Sequence, residues 1–406
     1  MRYILFTLTI LLIILTGCQN DKQPSADVAH KKLDKSFMQS HNEFGFKLFQ
    51  QIAETEKDNI FISPTSVLIA LSMLYNGSDG LTKDEIAETL QSEGIDMATL
   101  NEMNAALLAS LGKETDDITL ELANSLWIND NFELTDQFTS NMSGFYEAMI
   151  EAIDINDTQS IQMINDWVSE ATNEKITKMI EDIPPNMVLL IMNAIYLDAA
   201  WTIPFDENAT ENKPFHLAND ETSDIPLMML QEEFAYLENN DFQAIQLPYG
   251  ADSQMNMTVI LPDEDKSIDQ FMQSLSNEQW EKWQEQFSEQ EGTILLPKFT
   301  LEYEVNLNDP LAALGMPSAF NDQADLTKLV KDSDHLSVSE IKHKSYLDVN
   351  EEGTEAAAVT SIMVVEMSAV VDEEPFYMEV NRPFLIAITD HDTDAILFIG
   401  AIKDPR

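Results

Sequence analysis

Residues 351–368 read Glu-Glu-Gly-Thr-Glu-Ala-Ala-Ala-Val-Thr-Ser-Ile-Met-Val-Val-Glu-Met-Ser, and no proline occurs from Glu351 to Glu374. In an extended chain, successive side chains point to opposite faces. One face of this stretch is then Thr354, Ala356, Ala358, Thr360, Ile362 and Val364, uncharged throughout, small at its start and apolar at its end. The other carries Glu355, Ala357, Val359, Ser361, Met363 and Val365. Such a segment can enter a central sheet and lay its first face on a core without burying a charge. Charge joins that register only at Glu366. Small residues at the leading end suit passage between strands that are already packed. The same residues are also compatible with an ordinary edge strand, or with a helix, since Glu-Ala-Ala-Ala favours helix locally.

Outward from this stretch, the texture is globular from Phe37 to the end, with no second linker, low-complexity tract or internal repeat. Phe37, Phe44, Leu48 and Ile52 fall at helical spacing. Ser63-Pro64 predicts a second helix with Ser63 as its cap and Pro64 at its first position, running through an apolar stretch to Gly77. Residues 114–128 alternate as a strand, and Ser160–Ile180 reads as a helix. The dense apolar run Asn186–Tyr196 suits a central strand. Later runs (MNMTVILP, TILLPKFTLEYEV, PFLIAIT, AILFIGAI) are strand-like and bounded by Pro, Gly and Asp. Helices come mostly early and strands mostly late, with no βαβ rhythm, which predicts a mixed α+β fold on large antiparallel or mixed sheets.

The 406 residues are 44% apolar, enough for a substantial core, which excludes a wholly disordered chain. Twenty-two Lys and Arg against 72 Asp and Glu leave a net charge of −50. A chain so acidic is repelled by phosphate backbones and anionic membrane surfaces, which argues against nucleic-acid and heparin-type partners. The single cysteine, Cys18, excludes an intramolecular disulfide and a cysteine-based metal site. It follows Arg2, an apolar run from Ile4 to Leu15, and Leu15-Thr16-Gly17. A basic start, an apolar stretch too short to span a bilayer and small residues before a cut read as a signal peptide over residues 1–17. The Leu-x-Gly-Cys ending resembles the bacterial lipobox, which implies cleavage before Cys18 and a lipid on its thiol. An ordinary secretory signal in which Cys18 falls by chance is the alternative. Residues 18–36 then form a polar tether, and the chain is expected outside the cell, held by lipid at the outer face of the membrane or in a periplasm.

A search for an active site finds no Gly-x-Ser-x-Gly elbow, no phosphate-cradling glycine loop and no His-Glu-x-x-His pair. His30, His41, His216, His335, His343 and His391 are scattered, and carboxylates are too frequent for their proximity to mean anything. No cofactor or metal is implied, and an enzyme has no support.

Five further patterns stand in order along the chain. The first is Asn59-Ile60-Phe61-Ile62-Ser63-Pro64 with Ser66, then Ala70-Leu71-Ser72-Met73, continued by Gly80, Thr82 and Glu85-Ile86. The second is Asn193-Ala194-Ile195-Tyr196 with Trp201 and Pro204-Phe205. The third is Glu352-Gly353-Thr354-Glu355-Ala356-Ala357-Ala358, and the last two are Val380-Asn381-Arg382-Pro383-Phe384-Leu385 and Ile396-Leu397-Phe398-Ile399-Gly400. In this order and at these spacings the chain resembles the serpin family, from about Phe37 to Pro405. One departure is Leu197-Asp198-Ala199-Ala200, where the family commonly has Phe-Lys-Gly before the tryptophan.

The resemblance implies one domain over residues 37–406, with three β-sheets, about eight or nine helices and an exposed reactive-centre loop. It implies a suicide inhibitor: a protease serine attacks the loop, an acyl-enzyme forms, and the cut loop enters the main sheet before the ester is hydrolysed. The protein is consumed, so it is not an enzyme. Glu351, Glu352, Gly353, Thr354, Glu355, Ala356, Ala357 and Ala358 correspond to the hinge. Counting seventeen residues from Glu351 reaches Met367, which implies a cut at Met367-Ser368, with Glu366-Met367 and Ser368-Ala369 as neighbours. Methionine there suits chymotrypsin-, elastase- or subtilisin-like proteases, whereas Glu366 suits a glutamate-selective one. Trypsin-like targets are disfavoured because no Lys or Arg lies between Lys344 and Arg382. Ser63, Ser66, Asn193 and His343 resemble the polar shutter beneath the main sheet. Trp201 corresponds to the breach where the loop first enters, and Lys298 with Glu351 resembles an ion pair there. A monomer is expected, meeting the membrane only through its lipid. Cross-class inhibition of cysteine proteases is one alternative. A non-inhibitory surface binding protein is another, against which the unbroken small hinge Thr354–Thr360 argues.

Overall fold

A computed structural model of the chain describes residues 33–113, 115, 117–219, 221–332, 336–354 and 374–406. Asp34 caps helix α1 (Lys35–Ala53), whose Phe37, Phe44, Leu48 and Ile52 are all buried, as their spacing predicts. Strand β1 (Ile60–Ile62) leads into α2 (Pro64–Gly77), with Ser63 as N-cap and Pro64 in the first turn. Every residue of α2 is buried, as expected for a helix apolar on nearly all sides. Then come α3 (Gly80–Thr89), α4 (Met97–Leu111), β2 (Ile118–Asn129), α5 (Asp136–Asn141) with a π-helical turn after it, and β3 (Met149–Ile153). Next are α6 (Thr158–Ala171), β4 (Leu189–Ala200), β5 (Glu211–His216), β6 (Thr222–Glu238), β7 (Phe242–Tyr249) and β8 (Met255–Pro262). They are followed by α7 (Ile268–Ser274), α8 (Asn277–Gln284), β9 (Ser288–Pro297), β10 (Phe299–Asn306) and α9 (Asn308–Leu314). The last elements are β11 (Glu340–Val349), β12 (Gly353–Thr354), β13 (Phe376–Glu379), β14 (Phe384–Asp390) and β15 (Ile396–Ile402).

The predicted helix Ser160–Ile180 is half right. α6 stops at Ala171 because Thr172 turns its hydroxyl back to the Val168 carbonyl and also accepts from the Ile176 N–H. Asn173 and Glu174 then adopt left-handed backbone, at φ 47° and 63°, which no helix can continue through. The apolar side chains that suggested helix, Ile176, Met179 and Ile180, are still buried. Together with Ile164 and Val168 they pack on Trp127, Leu190, Met192 and Ala194, forming a small second core.

One sheet has six strands in the order β10-β11-β12-β4-β2-β3. The other pairings form a nine-stranded sheet that divides at β6. Thr222–Leu227 of that long strand pairs with β5, Leu227–Tyr236 with β9, and Tyr236–Glu238 with β7. Two sheets thus share one strand, and with the six-stranded sheet the count is three. The main core lies between the six-stranded sheet, α1, α2 and the strands around β15, while α6 covers the opposite face of β4 and β2. The fold is mixed α+β, with nine α-helices among the described residues.

Candidate functional site

β4 and β11 are the central strands of the six-stranded sheet, and they run parallel. They pair over Leu190–Ile195 and Glu340–Ser345. Among the described residues, their mutual pairing stops there. At the far end of the gap β12 stands between them, antiparallel to each, with Thr354 opposite both Val349 and Ala199 and Gly353 opposite Ala200. Gly353 and Thr354, which the resemblance assigns to the hinge, are therefore members of the sheet.

A tight turn delivers them. The Asn350 side-chain oxygen accepts from the Glu352 and Gly353 N–H groups, and the Asn350 N–H donates to the Gly353 carbonyl. Gly353 is required here, because an added Cβ would collide with the Ala199 carbonyl oxygen and sit 2.8 Å from the Ala200 Cα. The small Ala199-Ala200 pair lines this close approach.

Thr354 is fully buried, and its hydroxyl lies 2.6 Å from the Tyr249 hydroxyl. Burial pushes the Tyr249 phenol well above its usual pKa, so it stays neutral. The Trp201 indole stacks on the Tyr249 ring, with centroids 4.3 Å apart, and donates through Nε1 to the Asn350 carbonyl at 2.9 Å. The Trp201 and Phe205 backbone N–H groups donate to the Glu352 and Glu351 carbonyls. Lys298 Nζ lies 2.6 Å from Glu351 Oε2, and the Thr210 hydroxyl donates to Glu351 Oε1. Burial alone would raise the Glu351 pKa, but the bonds from Lys298 and Thr210 outweigh it and hold the carboxyl below its usual range.

Further along the same two strands lies the polar cluster. His343 of β11 stands opposite Asn193 of β4. The Ser63 N–H donates to His343 Nε2 at 3.1 Å, so the proton resides on Nδ1 and points at Asn193 Oδ1, 2.8 Å away. The Asn193 amide donates to the Ser66 carbonyl and to Asn124 Oδ1. Ser66 thus enters through its backbone, whereas its hydroxyl has no partner among the described residues. Complete burial drives the His343 pKa down to about 3, so the ring is neutral. His41 is likewise buried and lowered to about 4, on the far side of α2 in the contact of α1 with Leu68 and Ser72. His216 and His391 are exposed.

Glu355, Ala356, Ala357, Ala358, Glu366, Met367, Ser368 and Cys18 lie outside the described residues, as do His30 and His335. Tyr249, Thr210, Asn350 and Asn124 belong to the site but carry no sequence signal. Asn124 comes in by its pairing opposite Asn193, Asn350 and Thr210 from turns, and Tyr249 from the other sheet, 105 residues from Thr354.

The family model described as Serpin (serine protease inhibitor) matches residues 39–405. A serpin-like protein of Methanosarcina acetivorans is 32% identical over 372 residues, covering 90% of this chain and 86% of that one. Human alpha-1-antichymotrypsin is 30% identical over 392 residues, covering 92% and 89%. Among solved structures, the thermophilic serpin tengpin in its native state superposes with a TM-score of 0.84 at 30% identity, covering 92% of this chain and 95% of that one. Human thyroxine-binding globulin superposes at 0.83 with 27% identity, covering 91% and 98%. The chain belongs to the serpin family, whose members mostly inhibit proteases and are not catalytic enzymes.

Proposed function

We propose that this protein inhibits serine proteases of the chymotrypsin, elastase or subtilisin type, as a suicide substrate cut at Met367-Ser368. After the cut, residues 355–364 follow Gly353 and Thr354 into the six-stranded sheet, and the acyl-enzyme is carried along before it can be hydrolysed.

The register of Gly353 and Thr354 carries this reading. Extended from Thr354 opposite Val349 and Ala199, it brings Ala356 opposite Leu347 and Leu197, Ala358 opposite Ser345 and Ile195, and Thr360 opposite His343 and Asn193. Ile362 then falls opposite Ile341 and Ile191, and Val364 reaches Leu189, the first residue of β4. The uncharged face Thr354–Val364 thus matches the length of the two strands, and charge returns at Glu366, beyond both. Insertion separates His343 from Asn193 and sets Thr360 between them, a hydroxyl able to donate to one and accept from the other.

The test is incubation of the full chain with chymotrypsin, elastase and subtilisin, followed by a denaturing gel and mass spectrometry of the released peptide. A detergent-resistant adduct and a peptide beginning at Ser368 are expected. Clean nicking with no adduct would refute inhibition, and a peptide beginning at Met367 would move the cut and point to a glutamate-selective target. The proposal includes a lipid on Cys18 that holds the inhibitor at the outer face of the membrane. Partition of the cellular protein into a detergent phase, abolished in Cys18→Ala, tests it.

A further inference from the structure

A cavity of about 220 Å³ adjoins the two residues that grip the hinge through their backbones, Trp201 and Phe205. Phe234 and Leu247 complete an apolar wall, and all four are 5% exposed or less. Glu233 and Glu289 line the same cavity, whereas no Lys, Arg or His does. These two carboxylates are diagonal neighbours on one face of the β6–β9 ladder, because Ala235 pairs with Glu289 and Glu233 with Glu291. Glu291 therefore stands directly across from Glu233 on that face. Like charges so placed destabilise a sheet, and none of the three takes part in an ion pair among the described residues.

An aromatic wall attracts a cation through its ring faces, and the flanking carboxylates add Coulomb attraction. A mostly apolar pocket with a few convergent polar groups is the usual form of a small-ligand site. We infer that this cavity binds a small organic cation, an ammonium or amidinium on an apolar body. The body packs on Trp201, Phe205 and Phe234, and the charge lies by Glu233 and Glu289. The walls have this shape while Trp201 holds Asn350 and Phe205 holds Glu351, so an occupant favours the conformation with the hinge in the sheet. That coupling rests on the insertion reading above; the binding itself does not.

The test titrates the full chain with phenethylammonium chloride in 0.15 M NaCl, followed by calorimetry and tryptophan fluorescence. Saturable one-to-one binding with Kd below about 1 mM is expected, weakened at least tenfold in the double variant Glu233→Gln/Glu289→Gln. That variant removes charge at exposed positions, and a melting temperature no lower than the parent's shows that it folds. Methylammonium, which lacks the apolar body, and 2-phenylethanol, which lacks the charge, are each expected to bind at least tenfold more weakly. No saturation, equal affinity in the double variant, or equal binding of methylammonium would overturn the site. In the last case the ligand would be answering only to the general acidity of the surface. Hydrogen exchange at the Gly353 and Thr354 amides is expected to slow with the ligand bound. Binding without slower exchange overturns the coupling alone, while rapid exchange at both amides in the free protein would count against the pre-inserted hinge instead.

Discussion

At the scale of single residues, the hinge is held by an interaction that cost no charge and left no mark on the sequence. Thr354 could be read as the first small residue of an alternating face, but its partner Tyr249 sits at the end of a hairpin strand that nothing in the chain connects to it. The pair makes a sharp test of the asymmetry of buried hydrogen bonds: leaving one partner unmatched costs about 1–3 kcal/mol, while removing both is nearly neutral. Tyr249→Phe is therefore expected to speed exchange of the Thr354 amide about tenfold or more, and Tyr249→Phe with Thr354→Val to restore it most of the way. Equal exchange in all three proteins would show that the hydroxyls do not hold the hinge. His343 gives a second test at this scale, through pH. Its folded pKa of about 3 lies below the ordinary 6.5, so the unfolded chain binds more protons between those values. Its contribution is complete above pH 6.5 and is lost as the pH falls toward 3. Gln at this position can accept from the Ser63 N–H and donate to Asn193 without titrating. The stability of the parent relative to His343→Gln is thus expected to fall between pH 6.5 and 4.5 by up to about 1.4 kcal/mol per pH unit, read from guanidinium unfolding. His41 titrates identically in both proteins and cancels, and parallel stability curves would place a charged or solvated ring at position 343.

At the scale of elements, periodicity told more than propensity. The alternation Thr354–Val364, the capped start of α2 at Ser63 and the apolar run of β4 are all one-dimensional signals, and the structure contains the last two where the chain predicts them. The end of α6 was not legible. Ile176, Met179 and Ile180 continue the apolar spacing, and only the local bonds of Thr172 and the left-handed backbone at Asn173 and Glu174 break the helix. The long β6, which serves two sheets, was equally hidden, because a strand's partners change along its length without any change in its own pattern. The alternation also makes a prediction of its own. In the proposed inserted strand, even-numbered positions would continue the face of Thr354, on the side of Ala199, Leu197 and Ile195, all within the main core. Odd-numbered positions would then fall on the other face, where the same register would set Ala357 opposite Tyr196 and Tyr346, with Asp198 and Asp348 as diagonal neighbours. Ala356→Lys and Ala358→Lys bury an unpaired charge at a cost of several kcal/mol and are expected to turn the inhibitor into a substrate, cut the adduct yield tenfold or more and leave the nicking rate intact. Ala357→Lys meets two carboxylates and is expected to keep trapping. Loss of trapping in all three, or in none, would break the register.

At the scale of the whole molecule, the parting of β4 and β11 beyond Ile195 and Ser345 is an unfinished sheet. Among the described residues, two fill its outer end. Completing the strand through Val364 adds a ladder bond on each side for most of ten residues, each worth on the order of 1 kcal/mol net. Burying Ile362 and Val364 contributes about 1.5–3 kcal/mol each. The six residue pairs that now join β4 to β11 are separated, so part of the new ladder only replaces them. The cost of ordering the inserted backbone opposes this, at about 1–2 kcal/mol per residue, and the loop cannot meet that cost while both its ends are tied. On the proposed mechanism, cleavage frees one end and lets the strand form cooperatively between β4 and β11, so that the nicked form becomes the more stable one. A gain of this kind moves the guanidinium midpoint up. The measurement is unfolding of the intact protein beside the same protein nicked within residues 365–368 by a protease it does not trap. Nicked Thr354→Arg, which cannot seat its leading residue, is expected to unfold no later than intact Thr354→Arg. A nicked parent that unfolds no later than the intact one would mean that the wedge between β4 and β11 is a static feature of the sheet.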